Sequence, residues 1–213
     1  MAPADRNDDE IRRRLRGVVS VCTLFLAVSG LTVAACVSDV FSSPDYRSLL
    51  SISQTYRCLM AAEVFFVVFL WPAAGAGRGA LSVPVLAALV LISAPLVAVA
   101  AYVSNTPAYT IALTHLLLLA IATASVSGAA LAERTPSRPW RWYYLAAVFT
   151  AGAIPLAHFL MLNLTGVQLP WLGCISPFWA MELTLQSAAT ASKLYWAVSV
   201  LIFTGSAAVM HKL

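Results

Sequence analysis

One acidic residue lies in the middle of a long apolar segment. Glu63 occurs in the stretch CLMAAEVFFVVFLWP, which carries no other charge. An acidic side chain in the middle of a membrane-spanning helix costs at least ~2.5 kcal/mol, so it is a functional candidate by default. The nearest basic residue, Arg57, precedes it by six positions, and about 600° of helical rotation turns the two side chains to different faces. Glu63 is therefore a candidate for a substrate path or another intramembrane polar site.

Two interpretations of Glu63 stay open on the sequence alone. A protonated Glu63 that hydrogen-bonds to a neighbouring helix would serve packing. A Glu63 that lines a wetted path would sense protons or the charge of a cargo. In either case the side chain needs a partner on another helix, a water-filled cavity or a bound proton.

Two histidines form the second candidate group. His115 and His158 fall at similar predicted depths on two adjacent apolar segments, where neutral imidazoles would be able to hold a b-type haem. Haem bundles usually supply more histidines, so we favour isolated, hydrogen-bonded histidines and predict no cofactor. The cysteines show no metal-ligand spacing, and we predict no metal site. A disulfide from Cys174 to Cys36 or Cys58 stays open.

The composition places all these residues in a membrane protein. Hydrophobic residues make up 61% of the 213 residues and charged residues only 10%, with a mean hydropathy of +0.83. Residues 79–132 contain no charge, and this run is long enough for two helices of about 20 residues each. These properties exclude a water-soluble globule, a disordered chain and a nucleic-acid-binding protein. The predicted fold is an all-α, polytopic helix bundle in the lipid bilayer.

The apolar runs predict one membrane domain with six transmembrane helices. Residues 1–16 form a cytoplasmic amphipathic segment before the first helix. Residues 163–192 are apolar but interrupted by Gly and Pro, which predicts an outer loop with one or two short helices that lie on or dip into the membrane, one of them near residues 177–188. The six predicted spans cover about residues 17–37, 52–74, 81–103, 109–131, 143–162 and 194–210.

The distribution of basic residues predicts the orientation. With the N-terminus inside, only Arg47, Arg57 and Lys193 fall at the outer side. Such an asymmetry follows the positive-inside rule, so both termini are predicted to be cytoplasmic, and the chain to lie in a membrane such as the bacterial inner membrane. The other ten of the 13 basic residues fall on the inner side: Arg6, Arg12, Arg13, Arg14, Arg16, Arg78, Arg134, Arg138, Arg141 and Lys212.

Several segments together resemble the permease subunits of type-2 ABC exporters. EIRRRLRG before the first span resembles the interfacial helix of that family, and YRSLLSISQTYRCLMAAEVFFVVFLWPAAGAG resembles its second span. SAPLVAVAAYVSNTPAYTIALTHLLLLAIATASVSGAALAERT resembles the third and fourth spans with their short outer turn. SPFWAM, just before the last span, resembles the SPF-like stretch found there.

The resemblance implies a permease that works with a separate ATP-binding subunit and pairs with a second permease subunit, as a homo- or heterodimer. ATP would bind to the partner, and this chain would be no enzyme; it also lacks GxxxxGK[ST], HExxH and GxSxG motifs. The expected cargo is amphipathic or lipid-like. The candidate contacts with the partner are the charged inner residues Arg12, Arg13, Arg14, Arg16, Arg78, Glu133, Arg134, Arg138 and Arg141.

One segment departs from the family pattern. The inner loop after the second span is only GAGRGALS, whereas the family usually has a charged coupling helix there. The short loop favours an alternative function, a non-catalytic anchor or assembly subunit of a larger complex. A haem- or quinone-handling anchor is a third hypothesis, which depends on the histidine pair.

Overall fold

The computed structural model describes residues 3–42, 54–75, 83–134, 139–167, 169–186 and 190–212. Every secondary-structure element in these ranges is a helix, so the all-α prediction is confirmed for them. The α-helices are α1 (Pro3–Ser42), α2 (Thr55–Phe65), α3 (Trp71–Gly75), α4 (Val83–Val103), α5 (Ala108–Arg134), α6 (Pro139–Val148), α7 (Ile154–Thr165), α8 (Pro177–Leu185) and α9 (Thr190–Lys212).

Within the described ranges, five helical stretches are long and apolar enough to cross a membrane, as expected for a membrane protein. The sequence predicted six spans, and the third of these, residues 81–103, corresponds to α4. In α4, the apolar stretch that lies within the described side chains is Ala88–Val103, which is shorter than the five long stretches. The five long stretches are Leu15–Ser38, Thr55–Ala74, Ala108–Arg134, Trp140–Thr165 and Lys193–His211.

The N-terminal segment differs from the expected arrangement. We expected residues 1–16 to form a separate amphipathic element, but α1 continues from Pro3 to Ser42 with no helix end between the two parts. The junction contains Gly17 as its only weak helix former. A single glycine inside a helix costs only about 1 kcal/mol, so it does not end a helix flanked by good helix formers.

Two spans contain a π-helical turn just before a proline. Phe66–Leu70 joins α2 to α3 ahead of Pro72, and Phe149–Ala153 joins α6 to α7 ahead of Pro155. A proline has no backbone N–H, so Pro72 cannot donate to the carbonyl of Val68 four residues earlier. The Tyr143 hydroxyl donates to this carbonyl at 2.8 Å. The bond ties α6 to the π-helical turn of the second span.

Contacts at one end of the bundle fix the direction of several helices. Arg57 near the start of α2 and Tyr109 near the start of α5 line one pocket, together with the α4–α5 turn at residues 104–107. The indole N–H of Trp196, near the start of α9, donates to the carbonyl of Leu113 in α5 at 2.9 Å. The helices α2, α5 and α9 therefore start at the same end and run in the same direction. We call this end, defined by residues 104–107, the turn end.

Candidate functional site

Glu63 is fully buried, and neither of its carboxyl oxygens has a hydrogen-bond partner among the described residues. Its helix buries Leu59 and Val64 beside it. The side-chain hydroxyls of Ser29 and Thr55 are the other buried polar atoms that lack a partner in the described part of the chain. No described residue therefore supplies the interhelical hydrogen bond that one interpretation of Glu63 requires.

The face of α2 that carries Glu63 is turned towards α5. Tyr56 lies seven residues before Glu63 and therefore within about 20° of it around the helix. The Tyr56 hydroxyl is 2.6 Å from the hydroxyl of Thr114 in α5. Since α2 and α5 run parallel from the turn end, the α5 residue level with Glu63 lies seven residues beyond Thr114, near Ile121, which is buried. Glu63 thus lies in an apolar environment about 12 Å from the start of its helix.

Arg57 binds an acid other than Glu63. Its guanidinium lies 3.6 Å from the carboxylate of Glu182 in α8, and the side-chain amide of Gln186 donates to the same oxygen at 2.7 Å. Both charged side chains are close to half exposed, so the pair is worth at most about 1 kcal/mol. No local feature of the sequence predicted this pair.

The pair lies at a polar pocket at the turn end. The pocket has a volume of about 300 Å³ and includes Arg57, Ser104, Asn105 and Gln186 in its lining. Asn105 adopts a positive φ of 53°, a conformation that asparagine tolerates better than most residues, and thereby closes the α4–α5 turn. This end of the bundle therefore combines opposite charges with polar side chains, unlike the apolar surroundings of Glu63.

The two histidines bind different partners. Nδ1 of His115 lies 2.8 Å from the carbonyl of Ile111 in its own helix. Nδ1 of His158 accepts the backbone N–H of Leu169 at 3.4 Å, and its ring packs on Trp179 with the ring centroids 4.0 Å apart. His158 therefore holds the segment that follows α7, a role that its sequence context did not predict.

That segment contains two short helices, a 3₁₀ helix at Pro170–Cys174 followed by α8. The predicted helix near residues 177–188 is observed as Pro177–Leu185. Ser176 caps α8 by accepting the N–H of Trp179 at 3.5 Å, and Pro177 at the first helical position needs no partner. A Cβ atom on Gly173 would lie 2.8 Å from Leu183 and 2.9 Å from Trp179. Glycine at 173 thus lets the 3₁₀ helix pack directly on α8.

The segment reaches from the turn end to the middle of the bundle. Its far end, at Ile175 and Pro177, lines a cavity together with Ile121 and Ile202, which lie close to the middle of α5 and α9. Its other end, at Leu185, lines the polar pocket at the turn end. The 9 residues of α8 span about 13 Å, close to half of a 30 Å hydrocarbon core. We call Pro170–Leu185 the re-entrant segment.

The re-entrant segment is packed inside the bundle rather than on its surface. It contacts α2, α5, α7 and α9, and it buries Cys174, Ser176, Ala180 and Met181. The Cys174 thiol donates to the carbonyl of Tyr195 at 3.6 Å. All four cysteines of the chain lie in the described ranges, and none forms a disulfide.

The predicted partner-contact residues are exposed wherever their side chains are described. The side chains of four of these predicted residues, Arg13, Arg14, Arg78 and Arg138, are not among those that the structure describes. The exposed residues are Arg12, Arg16, Glu133, Arg134 and Arg141.

Within the described ranges, no three His, Cys, Asp or Glu side chains lie close enough together to hold a metal ion.

No family model matches the chain, and neither a curated protein nor a solved structure matches it. The function therefore has to be inferred from the helix arrangement and the re-entrant segment.

Proposed function

We propose that the chain is a membrane permease subunit, similar to those of type-2 ABC exporters, that works with a separate ATPase subunit to export an amphipathic or lipid-like substrate. The observation that carries this proposal is the re-entrant segment. It contains the SPFWAM stretch on which the resemblance partly rests, and it extends half-way into the bundle directly before the last span.

A half-depth segment suits a permease because it blocks only one half of the membrane. Non-helical backbone is tolerated at membrane depth only where it is enclosed by protein or lines a cavity, and here Ser176 is enclosed. When the ATPase dimer closes, the membrane halves rock, and displacement of the re-entrant segment would open a path towards the turn end. The apolar surroundings of Glu63 favour a neutral side chain there and suit a lipid-like cargo.

The proposed topology has six spans with both termini in the cytoplasm, in a membrane such as the bacterial inner membrane. The common direction of α2, α5 and α9 supports it, because spans two, four and six have to run parallel. The chain must return between α2 and α5, and α4 makes this return: its 21 residues extend about 31 Å, enough to cross. The turn end then lies outside.

Thiol accessibility tests this topology. On a cysteine-free background, Ser104→Cys should react with an impermeant reagent from outside, whereas Ser137→Cys should react only after the membrane is opened. Labelling of both positions from the same side would contradict six spans. The orientation follows from the excess of basic residues on the proposed inner side.

The ATPase would bind the end of the bundle opposite to the turn end. Because the loop GAGRGALS is short, the contact would fall on Arg12 and Arg16 of α1 and on Arg134 and Arg141 around the α5–α6 connection. These exposed side chains would pair with acidic residues of the partner. ATP hydrolysis would occur on the partner, and a second permease subunit would complete the dimer.

Purification in a mild detergent, with identification of the co-eluting chains, tests the proposed function. A nucleotide-binding chain should co-elute with the wild type and be lost from the double variant Arg134→Glu/Arg141→Glu. The matched control is Lys193→Glu, an exposed residue near the start of α9 at the turn end, which should retain the partner. Absence of any nucleotide-binding chain from the wild-type complex would contradict the proposal.

A second candidate function is that of a non-catalytic anchor or assembly subunit. The short inner loop favours it, because little of the usual coupling surface remains. In that case the purified complex would contain other membrane chains but no ATPase, and deletion of this subunit would destabilise them. The haem or quinone anchor depends on His115 and His158, which bind different partners here; a Soret band abolished by His115→Ala and by His158→Ala would support it.

A further inference from the structure

A cavity lies between the tip of the re-entrant segment and four spans. Its volume is about 330 Å³, and its walls come from Val68 of the second span, α5, α6 with the following π-helical turn, α9, and the residues Ile175 and Pro177. Apolar side chains such as Ile121, Ile202 and Phe203 form most of the lining. The cavity therefore lies at the depth of the hydrocarbon core, away from the polar pocket at the turn end.

The hydroxyl groups around this cavity are already hydrogen-bonded within the protein. Tyr143 donates to the carbonyl of Val68 at 2.8 Å. Thr150 donates to the carbonyl of Ala146 in its own helix at 2.9 Å. Ser206 does the same in α9, to the carbonyl of Phe203 at 2.8 Å. With these groups paired, the cavity offers little to a polar ligand, and an apolar cavity of this kind stays free of water.

Small residues and one fixed aromatic side chain create the space. A Cβ atom on Gly128 would lie 3.2 Å from the ring of Tyr143, so glycine lets this ring lie close against α5. The bond from Tyr143 to Val68 fixes the ring, because Pro72 leaves that carbonyl without its usual helical donor. Ala124 and Ala146 complete the wall with short side chains. The cavity therefore results from the way these helices pack against each other.

The cavity is reached from the side of the bundle that faces the membrane. Ala146 and Ile202 line it and are exposed, and so are Leu145, Val148 and Leu201 next to them. In a bilayer these positions face acyl chains. A hydrocarbon chain would therefore enter without crossing a polar barrier, whereas a headgroup would have to leave water.

We propose that this cavity is a binding site for one hydrocarbon chain of a membrane phospholipid. The depth, the apolar walls and the paired hydroxyls all select a chain over a headgroup. The bound chain would be the apolar part of the proposed lipid-like cargo, and only this assignment rests on the proposed function. Binding of the chain itself does not require transport.

The test uses the full-length protein in nanodiscs that contain a phospholipid with a diazirine near the end of one acyl chain. After photolysis, peptide mapping should find label on Ile175–Pro177 and on Phe203, which line the cavity, in excess of the exposed α7 residue Leu156. In Ala124→Phe the new ring fills the cavity. The loss of even two buried methylene contacts lowers the affinity of the cavity for the hydrocarbon chain about tenfold. The label on Ile175–Pro177 should therefore fall by about that factor.

The matched control is Ala112→Phe, an exposed position on the same helix that does not line the cavity, and it should leave the labelling unchanged. If Ala124→Phe does not assemble, Ser206→Leu fills the same space from α9 and gives the same test. Equal labelling of Ile175–Pro177 in the filled and control variants would overturn the inference, and so would label confined to α7. Either result, combined with a co-purifying ATPase, would contradict the hydrocarbon-chain site but not the proposed function.

Discussion

Replacement of Glu63 by leucine should stabilise the bundle. Glu63 is fully buried, and both of its carboxyl oxygens lack a partner among the described residues. A buried polar group without a hydrogen bond costs about 1–3 kcal/mol, and leucine fills a similar space without that cost. Because the site lies among apolar residues near Ile121 of α5, leucine also gains apolar contact. We expect the free energy of unfolding to rise by about 1–2 kcal/mol.

The assay is thermal unfolding in detergent, followed by fluorescence-detected size exclusion. For a protein of this size each kcal/mol shifts the Tm by about 2–4 °C, so Glu63→Leu should unfold several degrees above the wild type. Glu182→Leu is the control: its carboxylate is close to half exposed in a loose ion pair with Arg57, so the change in Tm should be small.

Glu63→Gln separates stability from function. The amide keeps the shape and the unpaired polar atoms, so its Tm should stay near that of the wild type. An inactive Gln variant that assembles normally would assign a proton- or charge-sensing role to Glu63. A Leu variant that unfolds several degrees below the wild type would refute the reasoning, because it would mean that the carboxyl group has a stabilising partner.

Two further substitutions test the packing around the re-entrant segment. Tyr143→Phe removes the hydroxyl that donates to Val68 and should lower the free energy of unfolding by about 1 kcal/mol, whereas Tyr102→Phe, at an 88% exposed side chain, should have little effect in the same Tm assay. Gly173→Ala places a Cβ atom 2.8 Å from Leu183 and should destabilise the protein by about 1–3 kcal/mol. At Gly152 no atom lies within 4 Å of an added Cβ, so Gly152→Ala should be neutral or stabilising, and equal effects of the two alanine variants would contradict the packing described for α8.

The sequence predicted most of the helices because charge and hydropathy vary along the chain itself. The charge-free runs placed the long helices within a few residues, and the glycines and prolines after residue 163 correctly predicted short helices there. The continuity of α1 was not predicted, because a cluster of arginines marks a change of environment and not the end of a helix.

The tertiary contacts of the candidate site were not predictable in the same way. Arg57 and Glu182 are far apart in the chain, and no local pattern brings them together. The sequence showed that a carboxyl group at Glu63 is costly, but its lack of a partner among the described residues depends on which face of α5 lies opposite. Pro72 was a usable signal for the bond between Tyr143 and Val68, since a proline inside an apolar helix leaves a carbonyl that needs another donor.

The most direct test of the proposed permease function is the nucleotide dependence of accessibility at the tip of the re-entrant segment. Ile175→Cys, on a background with the four native cysteines replaced by alanine, would be studied in the detergent-purified complex with its partner chains. In the proposed mechanism, closure of the ATPase would displace the segment, so a non-hydrolysable ATP analogue should speed the reaction of this thiol with a water-soluble maleimide. The same variant without nucleotide should react slowly, since residue 175 lies in the middle of the bundle. Equal reaction rates with and without the analogue would contradict an ATP-driven permease.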